Sequence, residues 1–194
     1  QRFTGHDWAL FFGAFLFSAA AYLGSGLAVW LLRPRVAAAR ALAGVAVSWC
    51  FFMLTSMDLY GPSTFFRLHV ACETAVPPTL LGLALLFPQP HPLARWRLAG
   101  WLPALAILLA YETLLYHPAA YSNVLRTDMA YLGAVGVLFG VRIVAVYLRG
   151  ASALARQRVR VVTLGAVCGF SLPAFLVLGS VASGGGFAIN LGVL

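Results

Sequence analysis

Residues 8–35 read WALFFGAFLFSAAAYLGSGLAVWLLRPR. No charged side chain falls between Trp8 and Leu32, a stretch longer than the roughly 20 apolar residues that carry a helix across a bilayer. Arg33-Pro34-Arg35 then stops it with two charges around a residue that cannot continue a helix. The same alternation of apolar run and short polar break repeats down the chain. It predicts spans over about Val36–Met57, Phe65–Phe87 (ended by Pro88-Gln89-Pro90), Leu98–Tyr116 (ended by His117-Pro118), Met129–Leu148 and about Val161–Val181. After the turn at Ser183-Gly184-Gly185-Gly186 another apolar run, Phe187–Leu194, begins a seventh. The expected fold is an all-α polytopic transmembrane bundle of six complete spans and the start of a seventh. It reads as one sensor-sized unit over residues 1–194, a fragment whose start at Gln1 and stop at Leu194 are taken as cut ends.

Composition agrees with that reading. Of 194 residues, 62% are hydrophobic and 9% charged, against about 45–50% and about 25% in a soluble domain. Mean hydropathy is +0.90. Disorder, a soluble nucleic-acid-binding domain and a disulfide scaffold are excluded on these figures. The net charge of +8 comes from 13 arginines against 5 acids, with no lysine. Cys50, Cys72 and Cys168 sit in apolar runs at spacings that suit neither zinc nor a CxxC motif. They read as small packing residues.

The arginines also set an orientation. Arg33, Arg35 and Arg40, then Arg95 and Arg97, then Arg149, Arg156, Arg158 and Arg160 fall in alternate connections, with no acid among them. That bias puts these loops in the cytoplasm and the N-terminus outside. A seventh span would return the chain to the cytoplasm.

Ionisable groups inside a span are costly, so each is a functional candidate. Glu73 lies roughly 13 Å below the outer edge of the third span at about 1.5 Å per residue. His69 is four residues before it and Pro77 four after, so the three share one helix face. Pro77-Pro78 interrupts the backbone ladder and is expected to kink the helix. The functional reading is a buried switch beside a hinge: Glu73 neutral in one state and paired in another, because burial disfavours charge and a nearby cation favours it. The structural reading is a hydrogen-bonded Glu that holds helices together. Arg142, in the fifth span, is read first as snorkelling to the cytoplasmic face and second as a partner for Glu73. Asp58, Arg67, Glu112, Arg126 and Asp128 gather near the outer helix ends as a polar layer, read first as a solvated rim and second as ion pairs.

Gly136 and Gly140 form a GxxxG that suits internal packing first and a homodimer face second. Catalytic motifs such as HExxH, GxSxG, a P-loop or CxxC do not occur. A retinal Schiff base needs a lysine, and a haem pair from His69 and His117 is set aside. No catalytic residue, metal or cofactor is assigned.

Asp58-Leu59-Tyr60-Gly61-Pro62, then Phe65-Phe66-Arg67, Glu73, Pro77-Pro78 and Leu85-Leu86-Phe87-Pro88 resemble the N-terminal seven-helix sensor regions of bacterial signalling receptors. These precede histidine kinases, nucleotide cyclases or PP2C-type phosphatases. In motif the resemblance covers about residues 49–88, and in layout the whole chain. It implies a non-catalytic input module in the bacterial inner membrane, with the lipid bilayer and a small ligand as partners and no nucleic acid. A transporter or membrane-embedded enzyme using Glu73 as a proton or substrate site is the alternative, and a structural subunit of a complex a third reading.

Overall fold

A computed structural model describes residues 5–60, 63–114 and 117–148, with 153, 156–157, 159–160 and 162–164. Five helices cover these residues: α1 (Gly5–Leu32), α2 (Ala37–Ser56), α3 (Phe66–Leu86), α4 (Trp101–Leu114) and α5 (Pro118–Leu148). No strand occurs among the described residues. With the 3-10 helix that leads into α4, all five are long and apolar enough to cross a membrane. The seventh expected span, and all of the sixth but residues 162–164, lie outside the described residues.

The first three helices begin and end within a few residues of their predicted bounds, because Arg-Pro-Arg and Pro-Gln-Pro leave no latitude. Two starts differ. The fourth span opens as a 3-10 helix over Pro92–Gly100 and becomes α-helical only at Trp101. His91 caps that segment, its Nδ1 accepting from the Leu93 amide at 3.2 Å. At the junction Gly100 lies so close to Leu81 that a Cβ there would collide with the leucine side chain, and the Gly100 carbonyl accepts from the Tyr131 hydroxyl at 2.7 Å.

The fifth helix starts at Pro118, well before the predicted Met129. Proline suits a first helical position because its missing N–H is one the helix would leave unpaired. Between Ala119 and Leu132 no glycine or proline breaks the helix, and the polar residues that suggested a loop are carried by it. This extension moves Asp128 from a helix end to a helix interior.

The helices pack in a simple order. α1 lies on α2, α2 on α3, and α3 also on α4 and α5, which touch each other. The centre is therefore α3: 61% of its apolar window is buried, against 6% for α5 among the described residues. The α1–α2 contact is close because Gly26 faces Ala46, whose Cβ occupies the space a side chain at 26 would need. Ala19, Cys50 and Met53 fill the rest of that interface, with Trp49 and Phe52 against them. Val70, Ile107, Tyr111 and Val124 form a second cluster among α3, α4 and α5.

The expected packing at Gly136 and Gly140 is not present among the described residues: nothing lies within 4 Å of a Cβ built at either. The double proline does not end α3, which continues to Leu86 with both rings fully buried. Lacking N–H groups, Pro77 and Pro78 leave the carbonyls of Glu73 and Thr74 without their usual donors four residues on.

Candidate functional site on the central helix

Three helices bring polar side chains to one level. α3 carries His69 and Glu73 one turn apart, and both are buried. α2 faces them with Thr55, also buried. α3 and α5 run in the same direction, because α4 lies between them in sequence and each connection reverses the chain. Glu73 is thus about 10 Å below the start of α3 and Asp128 about 15 Å below the start of α5, at 1.5 Å per residue. Asp128 on α5 and Tyr111 on α4 are both buried, like Glu73.

Proton positions follow from the donors. The Thr55 hydroxyl is 2.6 Å from the Phe51 carbonyl and 3.2 Å from that of Phe52, so its single proton goes to the backbone. Thr55 Oγ1 is 3.1 Å from His69 Nδ1 and accepts from it. The Phe52 ring stacks on the imidazole at 5.0 Å. Nδ1 therefore carries a proton, and Nε2 is turned toward Glu73, 3.9 Å from Oε2. That gap exceeds a direct hydrogen bond. One further proton sits either on Nε2, making an imidazolium–carboxylate pair, or on the Glu73 carboxyl, leaving both neutral.

Asp128 is the least satisfied member. It is fully buried, and neither carboxyl oxygen has a hydrogen-bond partner among the described residues. The Tyr111 hydroxyl is likewise buried without one. Tyr121 packs on Tyr111 at 5.3 Å and closes the cluster from α5. Native interiors rarely leave a carboxyl so exposed to loss, and such groups mark places where a proton or an outside donor belongs.

The remaining predicted residues are distributed differently. Pro77 lies one turn below Glu73 on α3, with Pro78 beside it. Arg142 does not join the group. Its Nη2 donates to the Gln89 carbonyl at 2.7 Å, just past the C-terminal end of α3. Glu73 is about 20 Å back along that helix, so Arg142 sits at the end of the bundle where α3 ends and does not pair with Glu73. Of the residues expected to form an outer polar layer, Arg67 pairs with Glu112 at 3.5 Å on the exposed surface. Asp58 accepts from the Phe65 amide and closes the turn before α3. Arg126 is exposed. Asp128 leaves that layer for the interior, because α5 starts early and turns it toward α3. His117 is exposed at the start of α5, apart from buried His69.

Tyr111 and Tyr121 are not among the candidate residues that the sequence singles out. A helical reading from Pro118 would have found them: Tyr121, Val124, Asp128, Tyr131 and Val135 fall on one face, and each is buried or half-buried. Comparison with protein-family models, with curated proteins and with solved structures finds no match.

Proposed function

We propose that the chain is the membrane-embedded input module of a bacterial signalling receptor. It has seven spans, an external N-terminus and an inner-membrane location, and it passes a ligand or protonation signal to a cytoplasmic output domain. The observation that carries this reading is the buried Thr55–His69–Glu73–Asp128 cluster placed one turn above Pro77-Pro78 on the central helix. A proton or ligand donor arriving there changes the charge of a desolvated group. The change acts beside two missing backbone hydrogen bonds, where a helix bends at low cost. The arginine asymmetry supports the orientation, and the run from Asp58 to Pro88 supports the receptor family. A small ligand is the partner implied, and a homodimer is compatible with a GxxxG face of α5 that has no neighbour among the described residues.

Asp128, buried with no hydrogen-bond partner among the described residues, also suits a second reading, a transporter or membrane-embedded enzyme that moves a proton through Asp128 and Glu73. The coding sequence after Leu194 separates the two. A kinase, cyclase or phosphatase domain there supports the receptor, further hydrophobic spans support the transporter, and a stop soon after the seventh span supports a subunit or a small membrane enzyme. Orientation is tested by impermeant maleimide labelling of single cysteines placed at Ser122 and Ser152. Labelling of position 122 alone from outside is expected, and labelling of position 152 from outside overturns the topology.

A further inference from the structure

At the opposite end of the bundle, a cavity of about 250 Å³ opens between α2, α3 and the start of α4. Its floor is made of small residues, Gly44 on α2 and Gly82 on α3, and Leu86 and Trp101 form apolar walls. Gly82 is buried, yet a Cβ built on it meets nothing within 4 Å, so the space beside it is open. Two guanidinium groups line the cavity, Arg40 from the first turn of α2 and Arg97 from the 3-10 helix. Each is steadied by backbone: Arg40 Nη1 donates to the Pro34 carbonyl at 3.1 Å and Arg97 Nη1 to the Ala94 carbonyl at 3.3 Å. A guanidinium has five N–H donors, so most remain free for an anion.

The sequence contains no counter-charge for them. Its five acids are Asp7, Asp58, Glu73, Glu112 and Asp128. Asp58 and Glu112 stand at the outer helix ends, Glu73 and Asp128 in the outer half, and Asp7 at the start of α1, whose far end leads into Arg33. No acid follows Asp128, so the anion must come from outside residues 1–194.

We propose that this cavity binds an anionic phospholipid of the leaflet faced by the arginine-rich loops, its phosphate between Arg40 and Arg97 and an acyl chain over Gly44 and Gly82. A lipid fits better than free phosphate because the site joins charge to an apolar wall at the level of the helix ends. Leu98 and Trp101 are exposed at its edge, and basic pockets between spanning helices suit such headgroups. The inference is independent of the sensor reading.

Native mass spectrometry of the whole chain in neutral detergent, titrated with phosphatidylglycerol or phosphatidylcholine, tests it. Phosphatidylglycerol is expected to bind more tightly. Each arginine near the surface contributes about fivefold, so Arg40→Ala/Arg97→Ala is expected to weaken that lipid roughly 25-fold. Arg95→Ala removes a charge from the same loop, but Arg95 stacks on Trp96 outside the cavity, and it is expected to leave binding unchanged. Gly82→Leu keeps every charge and fills the cavity, and it is expected to abolish the preference. Circular dichroism checks that each variant is folded, and Arg40→Gln/Arg97→Gln replaces the double alanine variant if that one is not. The proposal is overturned by equal binding of the two lipids, by an Arg95→Ala loss as large as that of the double variant, or by wild-type binding in Gly82→Leu. Displacement of the lipid by inorganic phosphate at equal concentration also overturns it, since that marks a site for the free ion.

Discussion

Glu73 and Asp128 are buried on two helices that pack against each other, α3 and α5. Glu73 has His69 one turn away, whereas Asp128 has no hydrogen-bond partner among the described residues. Two neighbouring carboxyl groups in such a place cannot both hold charge cheaply.

This coupling is measurable. Glu73→Gln and Asp128→Asn each relieve the repulsion, and the second substitution finds it already relieved. Unfolding of the two single variants and the double variant in detergent is expected to give a coupling energy of about 0.5–3 kcal/mol, the range for side chains in one network. Strict additivity would show that the two groups do not sense each other.

Thr55 fixes the imidazole by accepting from Nδ1. Thr55→Val leaves that N–H with one acceptor fewer in a buried place and is expected to cost about 1–3 kcal/mol, while Thr55→Ser costs less because the oxygen stays. Thermal unfolding of the three proteins checks the order.

The α1–α2 contact offers a test unrelated to the site. At Gly26 a new Cβ meets Ala46, whereas at Gly24 it meets nothing within 4 Å. Gly26→Ala is therefore expected to destabilise by about 1–3 kcal/mol, as overpacking does. Gly24→Ala is expected to be neutral or slightly stabilising, since a helical glycine gives way to a better helix former. Equal effects at the two positions would contradict the packing.

Tyr131 ties α5 to the start of α4 through the Gly100 carbonyl. Tyr131→Phe keeps the ring and is expected to lose about 0.5–1.5 kcal/mol, the net worth of one hydrogen bond.

Much of the helix layout was legible in the residues, because uncharged runs broken by Arg-Pro-Arg, Pro-Gln-Pro and His-Pro admit few alternatives. The burial of Glu73 and its spacing from His69 and Pro77 followed from cost and helical period. What the residues hid was the start of α5. Ser122, Asn123, Arg126, Thr127 and Asp128 read as a loop by polarity, yet tertiary packing of Tyr121, Val124 and Tyr131 holds them in a helix. Polarity alone therefore puts Asp128 at the rim and keeps it off the list of neighbours of Glu73. The 3-10 opening of α4 was hidden too, because it depends on the close approach of Gly100 to Leu81, a contact distant in sequence.

The proposed switch joins the cluster on α3 to Pro77-Pro78. Its most direct test is the output of the full-length protein in native membranes, across a range of stimulus, for wild type, Glu73→Gln and Pro77→Ala/Pro78→Ala. Expression and membrane insertion are measured alongside. Both variants are expected to insert and to lose the stimulus-dependent change. Glu73→Gln would do so because its side chain can no longer change charge, and the proline variant because restored backbone hydrogen bonds stiffen α3. If both insert and respond like wild type, Glu73 is a structural hydrogen-bonding residue and the switch does not exist.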